Sequence, residues 1–222
     1  MELRLHRGGR FRRWLGTRFG GDEQLGDRLW RRCLHGIGAA VLLYYAIPDG
    51  FFVVLSKQEV LVLALAAVVL LEVLRHGAGL ELPTLRPYEE ARIGSYVFYA
   101  LALAGAVLLF PRPIAAAVVL GTAFVDPLAG ELRASARWHR TYPVVPALAY
   151  AALAFVGLAG IGDWPAVPAA GLALIAAPLA VASEWPKIPW IDDDLAMTFV
   201  PAIVLYLVGG IALGLPGGSP VA

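Results

Sequence analysis

The stretch "SYVFYALALAGAVLLFPRPIAAAVVLGTAFVD", Ser95 to Asp126, carries a single charge, Arg112, before its closing aspartate. That arginine stands between Pro111 and Pro113. Two apolar runs meeting at a proline pair read as two helices folded back on each other, since each approaches the about 20 residues that cross roughly 30 Å of hydrocarbon. In hydrocarbon a segment must satisfy its own backbone hydrogen bonds, and neither run alternates as a barrel strand does. A helical hairpin inside a membrane is therefore expected.

Outward from this hairpin the same pattern recurs. Apolar segments fall at 33–48, 58–75, 94–111, 113–130, 143–161, 165–183 and 195–214, and 59% of the 222 residues are hydrophobic against 16% charged. The expected fold is all-α, a polytopic transmembrane helical bundle of about seven spans. Its organisation is a basic interfacial arm at 1–32, a transmembrane catalytic-type domain at 33–215 and a short tail at 216–222. The arm interleaves nine arginines with Phe11, Trp14, Phe19 and Trp30, a mixture suited to lipid phosphates and headgroup depth. A formal net charge of +1 argues against a nucleic-acid partner, and one cysteine, Cys33, closes no internal disulfide. No cleavable signal peptide is expected ahead of the first span.

Lys and Arg sort by side. The arm, the second-to-third loop (Arg75, Arg86, Arg92), the fourth-to-fifth loop (Arg133, Arg137, Arg140) and the sixth-to-seventh loop (Lys187) alternate with loops holding only Lys57 and Arg112. Positive loops stay in the cytoplasm, so a cytoplasmic N-terminus is expected for this multi-pass integral membrane protein.

Four polar clusters then share that face. "RRCLH" sets Arg31, Arg32 and His35 on one helix face at the start of the first span. "LEVLR" and "RPYEEAR" supply Glu72, Arg75, Arg86, Glu89, Glu90 and Arg92. A carboxylate inside lipid needs a partner, so Glu72 and Arg75 read equally as a structural pair. "GTAFVDPLAGELR" places Asp126 among small residues, with Glu131 and Arg133 beyond it. "WIDDDLAMTFVP" brings Asp192, Asp193 and Asp194 together before the last span. One of these would serve as a helix cap; three crowded carboxylates suit magnesium, above all magnesium carried on nucleotide phosphates. Phosphate loops, HExxH and GxSxG are absent from the sequence. Arginines for phosphate, carboxylates for magnesium and a histidine on one membrane face fit phosphoryl or nucleotidyl transfer to a lipid.

In order and sidedness these clusters resemble the superfamily of dolichol kinases, phytol kinases and phosphatidate cytidylyltransferases, CTP-using polytopic membrane enzymes, over about residues 28–206. "RRCLH" is similar to its basic-basic-x-x-His segment, "LEVLR" with "RPYEE" to its Glu-x-x-Arg and Arg-x-x-Glu pair, "FVDPLAGELR" to its Asp-x-x-Ala segment, and "IDDDLAMTFVP" to its acidic motif with a downstream proline. Where the lipid kinases carry Lys-Ser/Thr-x-x-Gly-Ser, this chain reads "WHRTYPVVPALAY": Arg140 and Thr141 stand at the first pair, and no Gly-Ser follows.

The resemblance implies a CTP-dependent kinase acting on a polyprenol- or dolichol-type alcohol at the cytoplasmic membrane face. A cytidylyltransferase making a CDP-activated lipid, or a non-catalytic scaffold of the same fold, stands as the alternative. By the same resemblance, Asp126 and Asp192 to Asp194 would hold magnesium. Arg31, Arg32, Arg75, Arg86, Arg140 and Thr141 would hold CTP, and His35, Glu89, Glu90, Asp126 or Glu131 would orient groups or move a proton. The implied partners are the nucleotide, an isoprenoid or other lipid substrate and membrane lipids, and a homo-oligomer is left open.

Overall fold

The computed structural model describes residues 32–78, 92–185 and 192–215, and among these there is helix but no strand. Helix α1 covers 32–38 and passes into a 3₁₀ stretch, Ala39–Tyr45. It is followed by α2 (Lys57–Ala78), α3 (Ser95–Leu109), α4 (Arg112–Ala134), α5 (Val144–Phe155), α6 (Ala166–Ser183) and α7 (Asp193–Leu205). Both α5 and α7 run on into π-helical turns, Val156–Ile161 and Tyr206–Ala212.

The expected hairpin is present, and its turn follows from local sterics. A residue before proline is held extended, and Phe110 sits at φ −117°, ψ 151°. Pro111 caps α4 and Pro113 falls in its first turn, where a missing N–H costs nothing. Five helices, α2, α4, α5 with its π turn, α6 and α7 with its π turn, are long and apolar enough to cross a membrane. α3, at 15 residues, rises only about 22 Å. Phe110–Pro111 ends α3, and beyond the 3₁₀ stretch after α1 the chain turns at "IPDG", with Gly50 at φ +83°.

α4 is the axis of the bundle. In its most apolar window 67% of residues are buried, against 11% for α2, which packs chiefly on α3 and turns Leu63, Leu70, Val73 and Leu74 outward. α4 packs against α3, α5 and α7, and α6 closes the other side against α5 and α7. Alanines 115 to 117 on α4 let neighbours come close, and Gly157 lies directly on the α4 backbone at Ala116 and Ala117. Gly157→Val is therefore expected to lower stability by about 1–3 kcal/mol through overpacking, read as an earlier thermal unfolding midpoint in detergent. An unchanged midpoint would contradict that contact.

Between α4 and α7, Thr122 and Thr198 meet at 2.9 Å, fully buried. Thr198 donates to its own Asp194 carbonyl at 2.8 Å, so Thr122 must donate to Thr198. This bond fixes the register of the two antiparallel helices. One turn away from it on each helix stand Asp126 and Asp194.

Candidate functional site

The three consecutive aspartates divide their work because neighbours on a helix point about 100° apart. Asp192 is the N-cap of α7, extended at ψ 147°, and its Oδ1 accepts the Asp194 N–H at 3.3 Å. Asp193 lies half-buried at a cavity rim. Asp194 is 4% exposed, and its Oδ1 has no hydrogen-bond partner among the described residues.

That oxygen lies 3.8 Å from Nε2 of His35, which in turn stands 3.4 Å from Oδ2 of Asp126. One donor atom from each of the three residues falls within 4.8 Å of the others. His35 is set by α3: the Tyr99 hydroxyl donates to its carbonyl at 2.5 Å, and the two rings pack at 4.4 Å. Asp126 is followed by Pro127, which cannot return a hydrogen bond to the Ala123 carbonyl and so loosens α4 beside the carboxylate. Segments far apart in sequence thus deliver an imidazole and two carboxylates to one point.

They open on a cavity of about 1000 Å³ whose wall also holds Arg32, Glu131, Arg133 and Glu184. Arg32 pairs with Glu131, and Arg133 with Glu184. Among the described residues, acids outnumber cations around it. Burial first, then a hydrogen bond with Asp193 and the charge of Asp194, push Asp192 up to about 8. Burial likewise raises Glu184, opposed by Arg133. Among the described residues these crowded carboxylates face few positive charges, a donor set of the kind that accepts a divalent cation, and Asp194 Oδ1 is buried without a hydrogen-bond partner among those residues. Two carboxylates satisfy magnesium; the imidazole adds a ligand that manganese accepts more readily.

The second cluster is built differently. Arg75 grips Glu72 with Nε to Oε2 and Nη2 to Oε1, both at 2.7 Å, and also donates to the Arg92 carbonyl at 2.7 Å. Glu72 further accepts the Gly94 N–H at 2.8 Å and the Tyr96 hydroxyl at 2.5 Å. This buried clamp ties the end of α2 to the start of α3, and Arg75 does not line the cavity. Arg140 is exposed in the 3₁₀ turn His139–Thr141, and Thr141 donates to the Trp138 carbonyl; neither lines the cavity. Arg31, Arg86, Glu89, Glu90 and most of the basic arm lie outside the described residues.

Sequence reading passed over Glu184. Its signal was there, a lone acid closing an uncharged span and followed by Trp185. No protein-family model, curated protein or solved structure matches the chain.

Proposed function

We propose that the chain is a CTP-dependent lipid kinase that moves the terminal phosphate of CTP to the hydroxyl of a polyprenol- or dolichol-type alcohol. The observation that carries it is the meeting of His35, Asp126 and Asp194 in a cavity shared with Arg32 and Arg133. Phosphoryl transfer asks mainly for positioning and charge neutralisation, which these groups are suited to provide. Magnesium, held by Asp126, Asp194 and His35, would neutralise the phosphate charge that an acid-lined cavity otherwise repels. Arg32 and Arg133 would turn their remaining guanidinium N–H groups to phosphate oxygens while keeping Glu131 and Glu184 as partners. The cytosine base and the isoprenoid acceptor rest on the motif resemblance alone. The proposed topology is seven spans with α3 as a short one, the N-terminus and the site being cytoplasmic. The starts of α1, α3 and α7 and the ends of α4 and α6 all meet at this cavity, on the side to which the loop charges point.

The test is transfer from CTP labelled at the γ or the α position, with purified protein in lipid nanodiscs and either a polyprenol or a lipid phosphate. Label from γ in the polyprenol is the expected result. Label from α in the lipid would make the protein a cytidylyltransferase, and label from neither would leave a non-catalytic scaffold. Chelation by EDTA is expected to stop transfer, and manganese to restore it at least as well as magnesium because of the imidazole. Transfer that survives chelation would remove the cation from the proposal.

A further inference from the structure

We infer that Glu184 is the catalytic proton acceptor for the lipid hydroxyl, an assignment that rests on the kinase reading above. Glu184 closes α6 with its residue surface 1% exposed, yet it forms part of the cavity wall. Its Oε2 is held from two sides, by the Arg133 guanidinium at the end of α4 and by the Tyr142 hydroxyl at 3.4 Å. Its Oε1 is buried with no hydrogen-bond partner among the described residues. One oxygen is anchored and the other is left with its lone pairs unspent.

The other acids of the cavity are committed elsewhere. Asp126 and Asp194 converge with His35 on the cation position, Asp192 spends Oδ1 on the α7 cap, Asp193 at the rim shares a hydrogen bond with Asp192, and Glu131 pairs with Arg32. Among the described residues, the groups facing Glu184 are Arg133 and Tyr142, with Asp193 and Asp126 across the cavity. Burial and Asp193 raise its ionisation above the ordinary glutamate range while Arg133 holds it down, which brings the carboxylate nearer the basicity a general base needs. In the step, a lone pair of the alcohol oxygen forms a bond to the γ-phosphorus as the bond from that phosphorus to the β,γ-bridging oxygen breaks. The bridging pair leaves with CDP, and the hydroxyl proton passes to Oε1. Protonated Glu184 then returns the proton to water, giving lipid phosphate, CDP and one proton.

The experiment compares wild type, Glu184→Gln and Glu184→Asp in nanodiscs, measuring γ-label transfer against pH and magnesium-CTP binding. Because the base acts deprotonated, wild-type kcat/KM should rise with pH along an acidic limb. Glu184→Gln is expected to lose at least about 100-fold in transfer and to lose that limb, with CTP binding within about threefold. Glu184→Asp, which keeps the charge for Arg133 but withdraws the carboxylate, should keep the limb at a reduced rate. Transfer near the wild-type rate in either variant overturns the assignment, as does loss of CTP binding in parallel with transfer in both, which would mark a purely structural acid. If wild type itself moves no γ label, the kinase reading fails and takes the assignment with it.

Discussion

Asp194→Asn is expected to abolish divalent-cation binding and to lower γ-phosphate transfer by more than the about 10–100-fold typical of losing an outer partner of a metal ligand. The amide keeps the volume of the carboxylate. It also leaves untouched the two backbone bonds that Asp194 makes, its N–H to Asp192 and its carbonyl to Thr198. What changes is the side-chain head group: the charge facing His35 is lost and one carboxylate oxygen becomes an NH2 donor, which binds no cation. Relieving one charge from a crowd of acids should hold or raise stability, so lost activity with an unchanged unfolding midpoint is the expected pairing. Asp192→Asn makes the contrast, because asparagine caps a helix about as well as aspartate. It should fold and bind the cation nearly as wild type does, whereas Asp192→Ala should cost about 0.5–2 kcal/mol of stability. Manganese binding followed by electron paramagnetic resonance separates the three variants. Retained binding in Asp194→Asn together with lost binding in Asp192→Asn would reverse the division of labour read from the fold.

That division is also the point at which the sequence stops being informative. A cap and a metal site looked like rival accounts of "DDD", and the fold assigns the cap to Asp192 and the buried position to Asp194. Composition cannot choose between adjacent residues, because the choice depends on which way the first turn of α7 faces across the gap to α1 and α4. The apolar runs were legible because burial in lipid must be written along the chain, and the proline hairpin because its sterics are local. The short α3 was not, since hydropathy counts apolar residues without saying where a turn stops the helix. His35 and Asp126 were visible as oddities in greasy segments, but their meeting is set by the Thr122–Thr198 bond and the Tyr99 contact, which are long-range facts. Glu184 was missed because a single acid at a span end looks like ordinary flanking until its pairing with Arg133 and its orphaned oxygen are seen.

Arg75→Met should unfold the protein far more readily than it weakens CTP binding. Both Arg75 and Glu72 are about 95% buried, and removing one partner of such a pair leaves an uncompensated charge, at a cost of about 3–5 kcal/mol. The geometry raises the stakes, because among the described residues α2 has little other helix to pack on. It packs chiefly on α3, and the clamp from Glu72 and Arg75 to Gly94, Tyr96 and the Arg92 carbonyl is what fastens its end there. The double variant Glu72→Gln, Arg75→Met should recover most of the loss, since a neutral amide still accepts from Gly94 and Tyr96 and no bare charge remains. Unfolding midpoints of the two single variants and the double variant in detergent give the coupling directly. A phosphate-holding Arg75 would give the opposite pattern: wild-type stability, weakened CTP binding in the single variant and no rescue in the double. The clamp geometry favours the first pattern, because the three guanidinium contacts at 2.7 Å all point to Glu72 and Arg92, within the helix junction.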